Sequence, residues 1–445
     1  MIDQIDAERA HSNSRAQQAA PKPLDGVFDS LIAGLQKALR SEAYTTPTPI
    51  QQQCIPSLLG GRDVLGSAQT GTGKTAAFTL PLLQRLDDKS QRRGAGRPNK
   101  PKALILAPTR ELAAQIGDSV RAYGRFLTIH HTVIFGGVSQ HRQVKDLQRG
   151  VDIVVATPGR LLDLIEQGHA RLDEVEFLVL DEVDRMLDMG FIHDIRKILS
   201  RIPARRQTAF FSATMPPEMV SLAAKMVCDP VRVTIAPDEP AVDRILQKML
   251  FVRKSDKGAL LASILDDAAI TKAIIFTQMK HAANRVAKKL THAGVECAAL
   301  HGNKSQSART RALDGFKRGQ FRVLVATDVA ARGIDVDDIT HVINYDLPVE
   351  AETYIHRIGR TARAGTGGDA ISFCCVEERP LLGSIEKLLG EPVPADTDHA
   401  FHCEDTRRST CQPKSQLGRR NGGRQPSRKG SRGTHRRRRN NRRRA

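Results

Sequence analysis

Residues 64–80 read Val-Leu-Gly-Ser-Ala-Gln-Thr-Gly-Thr-Gly-Lys-Thr-Ala-Ala-Phe-Thr-Leu. A short apolar stretch runs into a loop of glycines and threonines, and that loop opens a helix-compatible run. Glycine backbones turn their N–H groups inward around phosphate oxygens, and a helix N-terminus adds positive potential. Within Ala68, Gln69, Thr70, Gly71, Thr72, Gly73, Lys74 and Thr75, the Lys74 ammonium suits the β/γ-phosphates and the Thr75 hydroxyl suits Mg²⁺. The stretch predicts a nucleoside-triphosphate site.

Outward from it, short apolar runs alternate with helical patterns, the signature of parallel α/β sheets. Strands are expected at 102–107, 132–135, 152–157, 177–181 and 208–212, with helices such as 159–167 and 192–202 between them. Residues 236–243 hold two prolines and three acids, a linker composition. A second series follows, with strands at 247–252, 273–277, 297–300, 323–327, 341–345 and 370–375, and helices at 279–294 and 307–319. The expected plan is a domain at 26–235, a linker at 236–243 and a domain at 244–391. The phosphate loop occurs only in the first, so one nucleotide is expected between two similar layered domains.

The net charge of +19 is unevenly spread, since residues 401–445 hold 16 Lys/Arg against 2 Asp/Glu. Such a tail implies a polyanionic partner, RNA or DNA first and an anionic membrane surface second. Residues 392–445 and 1–25 lack apolar periodicity and are expected to be disordered. The polar N-terminus has no signal-peptide pattern, and no apolar run is long enough to cross a bilayer. Seven cysteines without a CxxC pair support neither a disulfide framework nor a zinc site, and a reducing cytoplasm fits them best.

Phe177-Leu178-Val179-Leu180-Asp181-Glu182 is an apolar strand ending in two carboxylates. In phosphate-loop enzymes such an Asp holds the hydrated Mg²⁺, and a neighbouring Glu can orient and deprotonate the attacking water. Alone, Asp181, Glu182 and Asp184 would read as ordinary helix-start acids.

With the loop at 68–75, Asp181-Glu182-Val183-Asp184 resembles the nucleotide motifs of the DEAD-box RNA helicases. Other motifs of that family follow in order: Pro47-Thr48-Pro49-Ile50-Gln51, Pro108-Thr109-Arg110-Glu111-Leu112, Gly136-Gly137, Thr157-Pro158-Gly159-Arg160 and Ser212-Ala213-Thr214. The second half adds Ile274-Ile275-Phe276-Thr277, Gln306 with Arg309, Ala326-Thr327-Asp328 through Arg332-Gly333-Ile334-Asp335, and His356-Arg357-Ile358-Gly359-Arg360-Thr361-Ala362-Arg363. The resemblance covers about residues 26–390, with the adenine-reading motif at 26–54, and His301 to Gln306 plus the basic tail look most like the bacterial RhlE branch.

The resemblance implies two tandem RecA-like parallel-sheet domains that bind ATP and Mg²⁺ and separate short RNA duplexes. It assigns Gln51 to the adenine edge, Tyr44 to stacking on the base and Asp335 to the ribose. An amide can pair bidentately with adenine, although Gln51 could instead cap the helix it begins. Arg360 and Arg363, three apart, resemble arginine fingers supplied by the second domain. Ser212 and Thr214, with Asp184 and His356, would couple nucleotide state to domain closure, and the two hydroxyls could also cap the following helix. RNA contacts fall on Arg110, Gly136, Gly137, Thr157, Gly159 and Arg160, then Gln306, Arg309 and Thr327. These residue types suit phosphates and 2′-hydroxyls, and with only 4% aromatics the implied binding tracks the backbone. Ribosomal precursors and an RNA-decay complex are the settings implied. The contrasting reading is a non-catalytic RNA clamp or scaffold carried by the Arg-rich tail.

Four positions depart from the pattern. Ala68 stands for the first glycine of the loop, Val183 for a usual alanine, and Ala43 and Ala362 for common glycines beside Tyr44 and between the arginines. None removes a functional group.

Overall fold

The structure is a computed structural model of the chain, and it describes residues 24–68, 71–93, 100–215, 217–235, 245–331, 336, 338–362 and 367–409. Gln69, Thr70, Asp335, Arg363, the linker 236–243, the extension 1–23 and the Arg-rich stretch 410–445 lie outside the described residues.

The first sheet contains β1 (Val64–Ser67), β2 (Ala103–Leu106), β3 (His131–Ile134), β4 (Ile153–Ala156), β5 (Phe177–Leu180), β6 (Gln207–Ser212) and β7 (Val231–Thr234), in the order β3-β4-β2-β5-β6-β1-β7. The second contains β8 (Ile245–Phe251), β9 (Ala273–Phe276), β10 (Cys297–Leu300), β11 (Val323–Ala326), β12 (His341–Asn344) and β13 (Gly368–Cys374), in the order β10-β11-β9-β12-β13-β8. All the strand pairings are parallel, so the chain forms two tandem RecA-like lobes.

Parallel strands are covered by helices on both faces, which is why β2, β4, β5 and β6 are buried along their whole length. Successive residues feed opposite layers. Leu104, Leu106, Val154, Leu178 and Phe210 join one core, and Ala103, Ile105, Val155, Val179 and Phe211 join the other. The sequence did not announce β7, because only Val233 of its four residues is buried. It is an edge strand, with Val64 pairing Val231 on one side and Ala209 on the other.

The register places the chemistry. Leu180 pairs with Phe210, and Ser67 with Ser212, so β6 and β1 end together and β5 stops two residues earlier, all at one edge. Their C-terminal turns carry the acids, Ser212-Ala213-Thr214 and the phosphate loop, at the edge where ligands bind in open α/β sheets. Adjacent strands lie ~4.8 Å apart, so the loop and the acids sit ~10 Å apart across β6.

Two boundaries need correction. Leu24 and Asp25, expected in the disordered extension, are structured: Leu24 is buried, and the Asp25 N–H donates to the Thr45 carbonyl at 3.0 Å. At the other end, residues 392–409 are structured rather than disordered. Met249 N–H donates to Pro394 O at 2.8 Å, Asp396 N–H to Met249 O at 3.0 Å and Cys403 N–H to Phe251 O at 3.0 Å. Val393, Cys403 and Thr406 are buried, and a helix spans Glu404–Arg408. The physical reason is that β8 is the edge of its sheet, and an edge strand offers unpaired backbone groups that a passing segment can satisfy without apolar periodicity. Among the described residues no helix is long and apolar enough to cross a membrane.

Ala43 (φ 58°) and Ala362 (φ 55°) sit in the left-handed region. Of the three positions where alanine stands for a glycine, Ala68 is not among the residues with positive φ, and these are the other two. A Cβ there costs ~1–2 kcal/mol, partly offset by the extra backbone entropy glycine loses on folding. Ala43→Gly and Ala362→Gly are therefore expected to stabilise their own lobes by about 0.5–1 kcal/mol each. Chemical denaturation that resolves the two lobes checks this, and a loss of stability in both variants would contradict the assignment.

Candidate nucleotide site and nucleic-acid cleft

A cavity of about 240 Å³ opens at the end of β1 and β5, lined by Tyr44, Gln51, Gly71, Gly73, Lys74, Thr75, Ala76, Leu112, Gln115, Ser119, Tyr123, Asp181 and Glu182. The helix Lys74–Arg93 starts at its floor. Lys74 is buried, and its Nζ donates to the Ala68 carbonyl at 2.7 Å, which ties the two ends of the loop together. Gly73 has φ +93°, and a Cβ there would collide with the Gln51 amide. Gln51 is fully buried, its Nε2 donating to Gly73 O at 3.1 Å while its Oε1 accepts from Thr48 N–H at 2.9 Å. The capping alternative for Gln51 is thus present in the structure, and it clamps the motif at 47–51 onto the phosphate loop. Tyr44 is 42% exposed at the rim and meets the buried Tyr123 edge-on at 6.3 Å. Burial, with Tyr44 alongside, pushes the Tyr123 phenol well above its ordinary range.

The acids occupy a tight turn after β5. Glu182 adopts φ 53°, ψ 53°, a left-handed conformation that costs ~1–2 kcal/mol for a non-glycine residue. The turn sends each of the three carboxylates to a different neighbour. Asp181 faces the cavity, and its Oδ1 is buried without a hydrogen-bond partner. Burial, reinforced by Glu182 and Asp184 and opposed by Lys74, pushes its carboxyl up to about 6. Burial also raises Glu182, but Arg185, Lys74 and Arg360 outweigh it and hold that carboxyl below its ordinary value. Arg185 Nη1 lies 2.5 Å from Glu182 Oε2. Asp184 Oδ2 accepts from the Ala213 and Thr214 N–H groups at 3.0 Å each. Ser212 Oγ donates to Thr214 O at 2.7 Å, so that hydroxyl folds the turn after β6 onto itself. Val183 is fully buried and joins the hydrophobic core beneath the sheet, away from the cavity.

The second lobe meets this turn through Arg360, which is buried and close enough to act on Glu182 across the lobes. Phe276, Asp328, His356, Arg357 and Arg360 share a recess there. Arg357 organises it. Its Nε and Nη2 donate to the Asp328 carboxylate at 2.5 and 2.8 Å, its Nη1 to Asn344 Oδ1 at 3.1 Å and Asp346 O at 2.6 Å, and its guanidinium stacks on Phe276 at 5.0 Å.

A second cavity, of about 320 Å³, lies between the lobes. Pro108, Thr109, Arg110, Glu111, Gly136, Thr157, Gly159, Arg160, Met189 and Phe191 line it from one lobe, and Gly302 and Arg309 from the other. Thr109 Oγ1 accepts from Leu112 N–H at 3.2 Å and caps the helix that presents Arg110 and Glu111. Gly137 packs so closely on the Arg110 guanidinium that a Cβ would overlap it. Burial, then the neighbouring Arg309 and Arg160, push the Arg110 guanidinium down, while Glu111 opposes them. Glu111 Oε1 accepts from Arg309 Nε at 2.9 Å and from Gln306 Nε2 at 3.2 Å, a buried bridge between the lobes.

The residues expected to bind ATP that the structure describes therefore converge, except that Thr72 does not line the cavity and Ala68 takes part through its carbonyl. Most residues expected to meet RNA also converge. Gly137, Gln306 and Thr327 do not line that cavity; Gly137 packs behind Arg110, Gln306 is held by Glu111, and Thr327 N–H donates to Leu300 O at 3.2 Å at the end of β11. Three side chains were missed: Arg185, Glu111 and Arg357. Arg185 lies three residues after Glu182, a helical spacing that could have revealed it. Glu111 and Arg357 stood inside recognised motifs, but their partners are distant in sequence.

The chain matches the family model of the DEAD/DEAH box helicase over residues 48–222 and that of the helicase conserved C-terminal domain over 256–365. It is 44% identical over 355 residues to the RNA helicase CrhR of Synechocystis, covering 80% of this chain and 70% of that one. It is 43% identical over 369 residues to the ATP-dependent rRNA helicase rrp3 of Aspergillus terreus, covering 83% and 80%. Its structure resembles that of Saccharomyces cerevisiae Dbp5 bound to RNA and ADP-BeF3, with a TM-score of 0.71 and 34% identity over 82% of this chain and 95% of that one.

The raised Asp181 carboxyl has a testable sign. From its ordinary 3.8 up to about 6, the folded protein holds this proton more tightly than the unfolded chain. Stability from this group is therefore complete at low pH and lost as pH rises through that window. Asp181→Asn should stabilise the nucleotide-free protein near neutral pH by on the order of 1–3 kcal/mol, with the gain vanishing near pH ~4. Thermal unfolding across that range checks it, and an unchanged midpoint at neutral pH would contradict it.

Proposed function

Since the chain belongs to the DEAD-box family and is an ATP-dependent RNA helicase that hydrolyses ATP, we propose that its two lobes close over ATP and one RNA strand, with Asp184 as the mechanical link. The observation that carries this reading is the division of labour in one turn: Asp181 faces the nucleotide cavity, Glu182 meets Arg185 and the charge of Arg360, and Asp184 holds the backbone after β6. A change at the γ-phosphate moves this turn, and the turn moves Ser212-Ala213-Thr214 and the lobe interface.

Lys74 and the N–H groups of the loop hold the β/γ-phosphates, Tyr44 covers the base and Gln51 reads its edge through the N–H left over from its bond to Gly73. Glu182, kept ionised by its arginine neighbours, orients the attacking water and takes its proton. Arg360, with Arg363, stabilises the charge that grows on the γ-phosphoryl oxygens, and Asp335 meets the ribose. The orphaned Oδ1 of Asp181, beside Thr75, fits a hydrated Mg²⁺, which when bound neutralises phosphate charge. His356, in the recess with Arg360, passes closure to the second lobe.

Arg110, Gly136, Gly137, Thr157, Gly159 and Arg160 hold the RNA backbone from one side, and Gln306, Arg309 and Thr327 from the other. Arg309 then exchanges its bond to Glu111 for phosphate. Closure bends the strand so that its partner cannot stay paired, which gives local separation of short duplexes. Residues 301–306 and the basic tail favour the RhlE branch, the unpaired cysteines a cytoplasmic setting, and the partners are ribosomal precursors or an RNA-decay complex; the rRNA helicase among the relatives supports the ribosomal precursors.

Multiple-turnover hydrolysis with and without RNA tests the reading. RNA should raise the rate, Lys74→Ala should abolish it, and Glu182→Gln should bind ATP and RNA yet turn over ~10²–10⁴-fold more slowly. Arg360→Ala should lower kcat ~10³-fold. Equal rates with and without RNA would indicate the clamp or scaffold instead.

A further inference from the structure

The helix Lys280–His292 has no acidic residue. Its buried stripe is Ala283, Val286, Ala287 and Leu290, so at 100° per residue the opposite half of its circumference faces solvent. Arg285, Lys288 and Lys289 lie on that half and are exposed, with His281 and His292 between them, and the exposed Lys280 stands at its edge in the first turn. Among the described residues none of these cations comes within ion-pair distance of a carboxylate. A surface helix ordinarily mixes both signs, and here the positive half is unbalanced.

This face is joined to the nucleic-acid cleft. Gly302 lines the cleft beside Arg309, and the turn that carries it is fastened to the helix's first turns. Lys280 Nζ donates to Asn303 Oδ1 at 3.2 Å, His301 Nε2 lies 2.9 Å from Asn284 Oδ1, and Asn303 N–H donates to His301 Nδ1 at 3.3 Å. The cationic arc therefore begins at the cleft mouth and runs away along the second lobe.

We propose that this arc is a second RNA-backbone site, which holds the phosphates of RNA leaving the cleft over the second lobe. The inference rests on the cleft reading above and extends it. From Lys280 to Lys289 the helix rises ~13 Å at 1.5 Å per residue. That span faces about three or four phosphates of one strand in a duplex at ~3.4 Å each. The side chains are flexible ammonium and guanidinium groups without base-reading partners, so the site takes phosphate of any sequence. Its consequence is preference by length: RNA that extends beyond the cleft binds more tightly than RNA that only fills it.

The test uses the full chain with Arg285→Gln, Lys288→Gln and Lys289→Gln combined, all exposed positions outside the nucleotide and cleft machinery. One probe is a single strand of about six nucleotides, which fills the cleft; the other carries a hairpin of about 20 nucleotides beyond it. Binding is measured over a salt series, with thermal unfolding as a folding control. The variant should bind the hairpin probe about tenfold more weakly near 0.1 M salt, with its salt slope reduced by about two. Short-probe affinity and short-probe ATPase should be unchanged, and Lys288→Arg with Lys289→Arg should bind the hairpin probe as the parent does. Unchanged hairpin binding, which would fit an acidic protein partner instead, overturns the proposal, as does an equal loss on both probes. If the short probe stimulates ATPase in neither protein, the cleft reading itself has failed, independently of the arc.

Discussion

Three carboxylates crowded into one turn after β5, Asp181 and Glu182 buried and Asp184 half-buried, are the constraint around which the site is built. Carboxylates removed from water repel one another and are expensive to leave uncompensated. The structure distributes the compensation. Lys74 from the phosphate loop acts on Asp181, Arg185 and Arg360 hold Glu182 ionised, and two backbone N–H groups after β6 satisfy Asp184. Each compensating group comes from a different part of the molecule. The acid turn is therefore where nucleotide, first lobe and second lobe are forced into one electrostatic balance, and Asp181 Oδ1 is the position still lacking a partner.

The lobe interface shows the same economy on the nucleic-acid side. Arg309 carries a charge from the second lobe into a cleft where it and Arg160 both repel Arg110, and Glu111 makes that tolerable. Phosphates can do what Glu111 does. Arg357 plays the corresponding internal part in the second lobe, binding Asp328, Asn344 and the Asp346 carbonyl and so tying the ends of β11 and β12 to the helix Ala351–Ile358 beside Arg360.

Much of this was legible in the sequence because its determinants are local. A parallel strand buried on both faces reads as an unbroken apolar run, and Ala103–Leu106, Ile153–Ala156 and Val323–Ala326 were found within a residue or two. The phosphate loop and the acid turn are contiguous, so their letters sufficed. What the sequence withheld depends on distant partners. Gln51 is spent on Gly73 and Thr48, Gln306 on Glu111, and residues 392–409 on the free edge of β8. Backbone pairing to an edge strand leaves no period in the side chains. The left-handed conformation of Ala43 and Ala362 was hidden for a similar reason: alanine signals no turn, and only backbone torsion reveals what a glycine would have announced.

The claim that the lobes share one nucleotide site is tested most directly by energy transfer between a dye on each lobe of single molecules. A non-hydrolysable ATP analogue and RNA together should populate a close state that neither ligand produces alone, and Arg360→Glu should deplete it, because the acid turn would then face a like charge. A distance unchanged by both ligands, or a close state indifferent to that charge reversal, would contradict the account.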